Sequence, residues 1–336
     1  MIEKVTTRLS KKIDLTGPQM CLAMEEILTG KADTASIVAF LTALSKKGET
    51  VREVVAAVRV MRRHAIKIKT KHKAILDTCG TGGDTKGTFN ISTTAGFVAA
   101  GAGVIVAKHG NRSISSLCGS ADILEALAIE INGDKDLIER CLNEVGIAFL
   151  FAQNLHPAMK YAMPARKVIG HRTIFNILGP LSNPAGATHQ LVGAYERHWV
   201  KVLANVLNDL GSKHVLVVHG EDGLDEITTT AGTHVAEVHN GKVSTRIVYP
   251  EDFGIKRARL KNLAGGNAHE NAEILLGILE GKAGPKRDIV VINAGAAIYA
   301  ADKASSIKEG VKLAACAIDS GKALEKLEQL RECSRR

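Results

Sequence analysis

The chain has 336 residues, 45% of them hydrophobic and 24% charged, the make-up of an ordinary globular protein of about two domains. That balance excludes a disordered chain, a collagen-like repeat and a small disulfide scaffold. The longest nearly apolar stretch, Ala95 to Ala107, is too short for a bilayer span, and Glu3, Lys4 and Arg8 stand where a signal core would lie, so a cytoplasmic protein outside the membrane is expected.

Helical signals come first along the chain. Thr16 followed by Gly17 and Pro18 reads as an N-cap opening a helix over Gln19–Leu28 that closes at Gly30. A second amphipathic run, Ala35–Leu44, stops at Gly48. Thr50 caps a third from Val51 to about His64, with Val54, Val55, Val58 and Met61 on one stripe. Residues 1–72 therefore read as a small helical domain, with Pro157–His171, or more broadly 157–175, crossing back to it. Its apolar faces need a cover, and a homodimer through these helices is expected.

From residue 73 to 336 short apolar runs alternate with helical stretches. Strands are expected at Ala74–Leu76, Val104–Lys108, Ile147–Ala152, Leu191–Ala194, Val215–Val218 and Ile289–Asn293. Helices are expected at Ser92–Ala102, Ser120–Leu127, Lys135–Val145, Trp199–Leu210 and His269–Leu279. Thr233–Val238 and Lys242–Val248 flank His239-Asn-Gly241 as an antiparallel hairpin. The fold class is α/β: a small helical domain and a larger domain with a mostly parallel sheet.

Charge and cysteine usage narrow the chemistry. Ten Lys/Arg between Lys46 and Lys73 face only Glu49 and Glu53, so most of the net charge of +9 is local. Such a stretch draws nucleic acid, steers a phosphorylated molecule, or is a solvated helix face. Aromatics at 4% leave few platforms for stacked bases. The six cysteines form no C-x-x-C pair and no zinc spacing with histidine. His214 and His219 lie five apart on a strand, on opposite faces, and are poor joint metal ligands.

Three segments carry the chemical signal. Asp77-Thr-Cys-Gly-Thr-Gly-Gly-Asp-Thr-Lys-Gly-Thr-Phe-Asn-Ile-Ser-Thr93 runs from a strand through four glycines into a helix start. Glycines let backbone N–H groups approach an anion, and a helix start adds unpaired donors. Neither GxxxxGK[ST] nor GxGxxG is present. Next, a strand ends in Lys108, His109, Asn111 and Arg112, at the carboxyl edge where open α/β sheets bind ligands. Last, Gly220-Glu-Asp-Gly-Leu-Asp-Glu226 follows another strand with four carboxylates, suited to Mg2+ bridged to phosphate or, taken alone, to an exposed acidic turn. Together they suit a diphosphate substrate carried with magnesium.

These residues also resemble a known family. Cys79-Gly-Thr-Gly-Gly-Asp84, Asn90-Ile-Ser-Thr93, Lys108-His-Gly-Asn-Arg112, Gly119-Ser-Ala-Asp122, His156-Pro-Ala-Met159, Arg172-Thr-Ile-Phe-Asn-Ile-Leu-Gly-Pro-Leu-Ser-Asn-Pro184 and Gly223-Leu-Asp-Glu226 resemble, in order and over the whole chain, the anthranilate phosphoribosyltransferases of tryptophan biosynthesis. The resemblance implies a nucleoside phosphorylase/phosphoribosyltransferase-like fold. It implies transfer of phosphoribose from 5-phosphoribosyl-1-pyrophosphate to the amine of anthranilate. It further implies that Gly80, Gly82, Gly83 and Asp84 hold the pyrophosphate end. Thr88, Asn90, Ser92, Thr93 and Lys108 would anchor the sugar phosphate, with Ser116 and Ser120 nearby. Thr81, Ile91, Gly110 and Arg112 complete the substrate-binding set. Ser92, Asp225 and Glu226 would hold two Mg2+ ions, and Asn111 and Arg166, with His109 and His156, would line the anthranilate path. No residue is expected as a nucleophile.

Two departures stand out. Cys118 takes the place of a small hydroxyl residue, and Gln153-Asn-Leu155 replaces a segment that often carries proline and histidine. A pyrimidine nucleoside phosphorylase-like enzyme and a nucleic-acid-binding relative acting through Lys46–Lys73 are the competing readings.

Overall fold

The structure is a computed structural model that describes residues 1–113 and 118–336. It opens with α1 (Ile2–Ser10), which the sequence reading did not anticipate, then α2 (Gly17–Leu28), α3 (Thr34–Lys47) and α4 (Val51–His64). Thr16 and Thr50 each form a reciprocal capping box, with Gln19 and Glu53 respectively. Glu53 also ties neighbouring segments together from a wholly buried position. Its carboxylate accepts the Leu15 N–H at 2.9 Å, the Thr50 N–H at 2.8 Å and the Lys47 ammonium at 2.8 Å. Burial alone would lower the Lys47 pKa, yet its hydrogen bonds to Asp14 and Glu53 raise it above its ordinary value. Arg62 donates to the Leu181 carbonyl and Arg63 pairs with Glu25. Part of the basic stretch is thus engaged within the chain.

The remaining elements are β1 (Leu76–Asp77), α5 (Ile91–Gly101), β2 (Val106–Gly110), α6 (Ser120–Ala126), α7 (Lys135–Glu144), β3 (Ile147–Phe151), α8 (Ala152–Leu155), α9 (Met163–Ile169), α10 (Phe175–Leu181), β4 (His189–Gly193) and α11 (Arg197–Asp209). They continue with β5 (His214–Gly220), β6 (Thr233–His239), β7 (Lys242–Val248), α12 (Ala268–Leu279), α13 (Pro285–Ala300), α14 (Ile307–Asp319) and α15 (Lys322–Ser334). The strands form one sheet in the order β3-β2-β1-β4-β5-β6-β7. The first five are parallel, and β6 and β7 add an antiparallel hairpin turned at Asn240-Gly241, both with positive φ. Successive strands run outward from β1 to β3, then resume on its other side at β4. The crevice between β1 and β4 is therefore the switch point where such sheets bind ligands.

The sheet separates two cores. Leu216 and Val218 of β5 face α5, α13 and α14, whereas Val215 and Val217 face α11 and, beyond it, α1–α4. The apolar faces of the first helices are thus largely covered by α9, α10 and α11 of the same chain. Among the described residues no helix is long and apolar enough to cross a membrane.

One expected strand is wrong. Ile289–Asn293 lies inside α13, behind Pro285 in the first turn. A short apolar run reads alike in a buried strand and a buried helix, and α13 is buried on nearly every side. α13 crosses α14 at two glycines: a Cβ on Gly310 would fall 2.1 Å from the Gly295 carbonyl, and one on Gly295 would fall 2.5 Å from the Val311 nitrogen. Gly310→Ala is expected to force these helices apart at a cost of about 1–3 kcal/mol, read as a lower urea midpoint with unchanged slope.

Candidate functional site

The loop after β1 lies across the switch point. Gly82, Gly83 and Gly87 take φ of 66°, 82° and 68°, a region that L side chains avoid. Gly80 has no room for a side chain, since a Cβ would meet Asp225 Oδ2 at 3.1 Å and the Gly193 carbonyl at 3.2 Å. Thr81 anchors the loop to β4: its N–H donates to the Gly193 carbonyl at 2.8 Å, and its hydroxyl accepts the Tyr195 N–H at 3.0 Å. The Thr88 backbone bridges to Ala264, and Asn90 then caps α5 by accepting the Thr93 N–H. The first turn of that helix presents Ile91, Ser92 and Thr93.

Lys108 arrives from β2. Its buried ammonium donates to the Thr78 carbonyl, the Thr78 hydroxyl and the Ser92 hydroxyl, each at 3.2 Å. Below it Asp77 is wholly buried, accepting the His109 N–H at 3.1 Å and the Asn183 amide at 2.8 Å. Burial pushes the Asp77 pKa up to about 6, against the Asn183 hydrogen bond and the Lys108 charge.

The acidic turn after β5 closes the other side. Asp225 accepts the Gly82 N–H at 3.0 Å and lies beside Asp84, while Glu226 lies near the backbone of Ser92. Asn293 of α13 sets this turn, accepting the Ile227 N–H and donating back to its carbonyl. Burial raises the pKa of Asp225, and the Asp84 charge adds to it; burial and the Asp225 charge raise that of Glu226. Three carboxylates thus gather near the Ser92 hydroxyl, with Lys108 and, beside Asp84, Lys86 as the cations around them. That oxygen-rich donor set fits a divalent cation of the Mg2+ type. Asp84 sits with the carboxylates as well as on the glycine loop.

On the far side of Lys108 the surroundings turn neutral. His109 Nδ1 donates to the Gly179 carbonyl at 3.0 Å, and its ring lies 5.1 Å from that of His156. Burial, reinforced for His109 by its neighbour, pushes His109 down to about 3 and His156 down to about 4. Among the described residues the buried Nε2 atoms of both rings have no hydrogen-bond partner. Gln153 donates to Asn111 at 3.1 Å, so one of the unusual residues reaches the expected acceptor end. Ser120 donates to the Asn111 carbonyl, and Gly110 admits no side chain beside Ser120 and Phe149. Arg166, on α9, packs over the Phe175 ring and makes no ion pair among the described residues. Arg112 is not free in this way: it pairs with Asp122 and Glu125. Ser116 lies outside the described residues.

Two positions carry more than the sequence reading assigned. Arg172 stacks on Tyr195 at 4.0 Å and donates to the Gly83 carbonyl, pinning the glycine loop from above. Asn183 bridges Asp77 to the Ala107 carbonyl. Both lie in the Arg172–Pro184 segment, which drew notice as a motif but whose partners are far away in sequence. Cys79 is packed, its thiol pKa raised by burial and then by Asp77.

Comparison with known proteins agrees with this geometry. Residues 2–65 match the model of the glycosyl transferase family helical bundle domain, and residues 72–324 that of the glycosyl transferase family a/b domain. The anthranilate phosphoribosyltransferase of Anaeromyxobacter dehalogenans is 53% identical over 98% of both chains. That of Symbiobacterium thermophilum is 53% identical over 96% of this chain and 95% of its own. A crystal structure of the Thermus thermophilus anthranilate phosphoribosyltransferase superposes with a TM-score of 0.94 at 40% identity, covering 98% of this chain and 99% of that one. The Saccharomyces cerevisiae enzyme in complex with PRPP and Mg superposes with a TM-score of 0.90 at 27% identity, covering 99% and 98%.

Lowered pKa values leave both site histidines uncharged well below neutrality. Imidazole 15N spectra at about pH 5.5 are expected to show His109 and His156 still neutral, where an unperturbed histidine is mostly charged. Charged signals for both would contradict the dry, neutral pocket described above.

Proposed function

The chain belongs to the anthranilate phosphoribosyltransferase family, and from that premise we propose that it moves the 5-phosphoribosyl group from 5-phosphoribosyl-1-pyrophosphate to the amine of anthranilate. The C1–oxygen bond to pyrophosphate breaks, the amine nitrogen bonds to C1, and the amine loses a proton. The observation that carries this reading is the convergence of the glycine loop, Lys108 and the Asp84/Asp225/Glu226 carboxylates on one side of a neutral pocket.

Leaving-group charge is met on the first side. With the Thr81 and Gly82 N–H groups engaged by Gly193 and Asp225, the Gly80 and Gly83 N–H groups and the Lys108 ammonium would face the diphosphate, aided by the start of α5 with Asn90, Ser92 and Thr93. Ser92, Asp225 and Glu226, with Asp84 adjoining, would hold Mg2+, which when bound supplies charge stabilisation for the departing pyrophosphate. Two ions per subunit are part of the proposal.

Acceptor binding is assigned to the second side. An aromatic amine is neutral at physiological pH, so His109 and His156 need not act as strong bases. Their neutral rings accept an apolar ring, and the unpaired Arg166 guanidinium offers a fork to the anthranilate carboxylate. Holding the amine behind C1 supplies the orientation on which the displacement depends.

The proposal keeps a division into residues 1–72, joined by 157–175, and residues 73–336; the boundary between the two family matches supports it. It keeps a homodimer through the first helices, supported by exposed Leu22 on α2. A cytoplasmic setting is supported by cysteines that form no disulfide among the described residues.

Loss of anthranilate fluorescence with both substrates and Mg2+ tests the reaction. Asp225→Asn/Glu226→Gln is expected to lower turnover by roughly a hundredfold or more, on the scale of losing electrostatic support for a leaving group. Arg166→Ala is expected to raise the anthranilate KM roughly tenfold to a hundredfold, the worth of a charged hydrogen bond. Activity with inorganic phosphate and a nucleoside, but none with the diphosphate, would shift the reading to a phosphorylase. Light scattering of wild type against Leu22→Asp tests the dimer, with a monomer expected for the variant.

A further inference from the structure

The opposite rim of the sheet, away from the glycine loop, carries a second cluster of chemistry-bearing side chains. His189 opens β4, His214 opens β5 and His239 closes β6. The register pairs His189 with His214 and His214 with His239. Residues paired in this way point to one face, so three imidazoles stand in a row across three strands. Glu237, two residues before His239, shares that face. The end of α13 covers it. Asp302 lies 2.7 Å from His214 Nδ1 and 3.2 Å from His189 Nε2. Tyr299 donates to Glu237 at 2.6 Å, and Arg246 donates to its other oxygen. His214 and Glu237 are buried, whereas His239 is exposed.

We infer that His214, Glu237 and His239 form a site for a divalent transition metal of the zinc class. Their ligand atoms all lie within 4.8 Å of one another. Two donors at alternate positions of one strand and a third on the adjacent antiparallel strand converge on a single point above the sheet. Two imidazoles and a carboxylate make a three-ligand zinc set, and the exposed side leaves a fourth position to water. The outer contacts are those a metal site uses: Asp302 on Nδ1 orients the His214 ring and leaves Nε2 to the metal, while Tyr299 and Arg246 hold Glu237.

His214 Nε2 lies 3.0 Å from Glu237, so the imidazole and the carboxylate already face each other across the place a metal would take. His239 stacks on His214 with ring centroids 4.2 Å apart, and among the described residues its ring makes no hydrogen bond, so it is free to turn toward the metal. The site would tie β6, and with it the β6–β7 hairpin, to the parallel strands and α13. It takes no part in the phosphoribosyl chemistry. His214 and His219 remain on opposite faces, the latter bonded to the Ala194 carbonyl, so the third donor comes from a strand that spacing alone does not bring near.

Calorimetric titration of zinc into chelator-treated full-length protein, with Mg2+ in excess, tests the site. One zinc per chain is expected, with a raised melting temperature. His239→Ala, which alters an exposed ring, is expected to fold normally and lose this binding. Asp302→Asn is expected to weaken it by roughly tenfold to a hundredfold. Asp225→Asn/Glu226→Gln should bind zinc at this rim as the wild type does. Unchanged zinc affinity in His239→Ala, or no uptake by the wild type, would overturn the assignment.

Discussion

Asp77 lies wholly buried at the end of the two-residue strand β1, and two otherwise separate parts of the chain, the end of β2 and the segment beyond α10, meet on its carboxylate. It accepts the His109 N–H at the end of β2, it accepts the amide of Asn183 beyond α10, and its charge faces Lys108. Burying a carboxylate is costly unless it is hydrogen-bonded and balanced by charge. The cost is offset only when the β2 end, with its lysine, and the segment after α10 are in place together. The requirement therefore couples the glycine-loop side of the site to the His109 side. His109, held by Asp77 through its backbone, reaches Gly179 on α10 with its ring.

Around this node the fold sorts charge by strand. The β5 turn concentrates carboxylates, the loop after β1 contributes backbone N–H groups and Asp84, and β2 delivers a single buried cation. The His109 side, built from β2 and the segments at His156 and Arg166, carries neutral imidazoles and a guanidinium with no ion pair among the described residues. Raised carboxyl pKa values on one side and lowered imidazole values on the other arise from the same burial, acting on acids and bases in opposite directions. An apolar ring and a charged diphosphate can then be held side by side without either passing through the surroundings suited to the other.

Much of this was legible from local pattern. Thr16 and Thr50 announced their helices because an N-cap interacts within its own first turn. Gly82, Gly83 and Gly87 announced the loop because few other residues take that backbone shape. The hairpin at Asn240-Gly241 was legible for the same reason. What failed was local evidence without direction: Ile289–Asn293 reads equally as strand or helix, α1 and α15 carried no strong start signal, and the Ser306-x-x-Glu309 cap that opens α14 was not read as one. Arg112, expected beside substrate, turns to Asp122 and Glu125, partners whose proximity depends on α6 docking under the loop.

Local pattern was enough for the class of fold, for most of the elements up to α12, for the three chemically marked segments and for the family, because each rests on residues within about one turn or one motif. Which of those segments meet was settled only on folding. Strand order placed Gly193 and Asp225 against the glycine loop, and α13 positioned the acidic turn through Asn293. The register of β4, β5 and β6 aligned three histidines more than twenty residues apart. Those meetings depend on strand register and on the packing of both sheet faces, properties of the whole folded chain that no window of sequence contains.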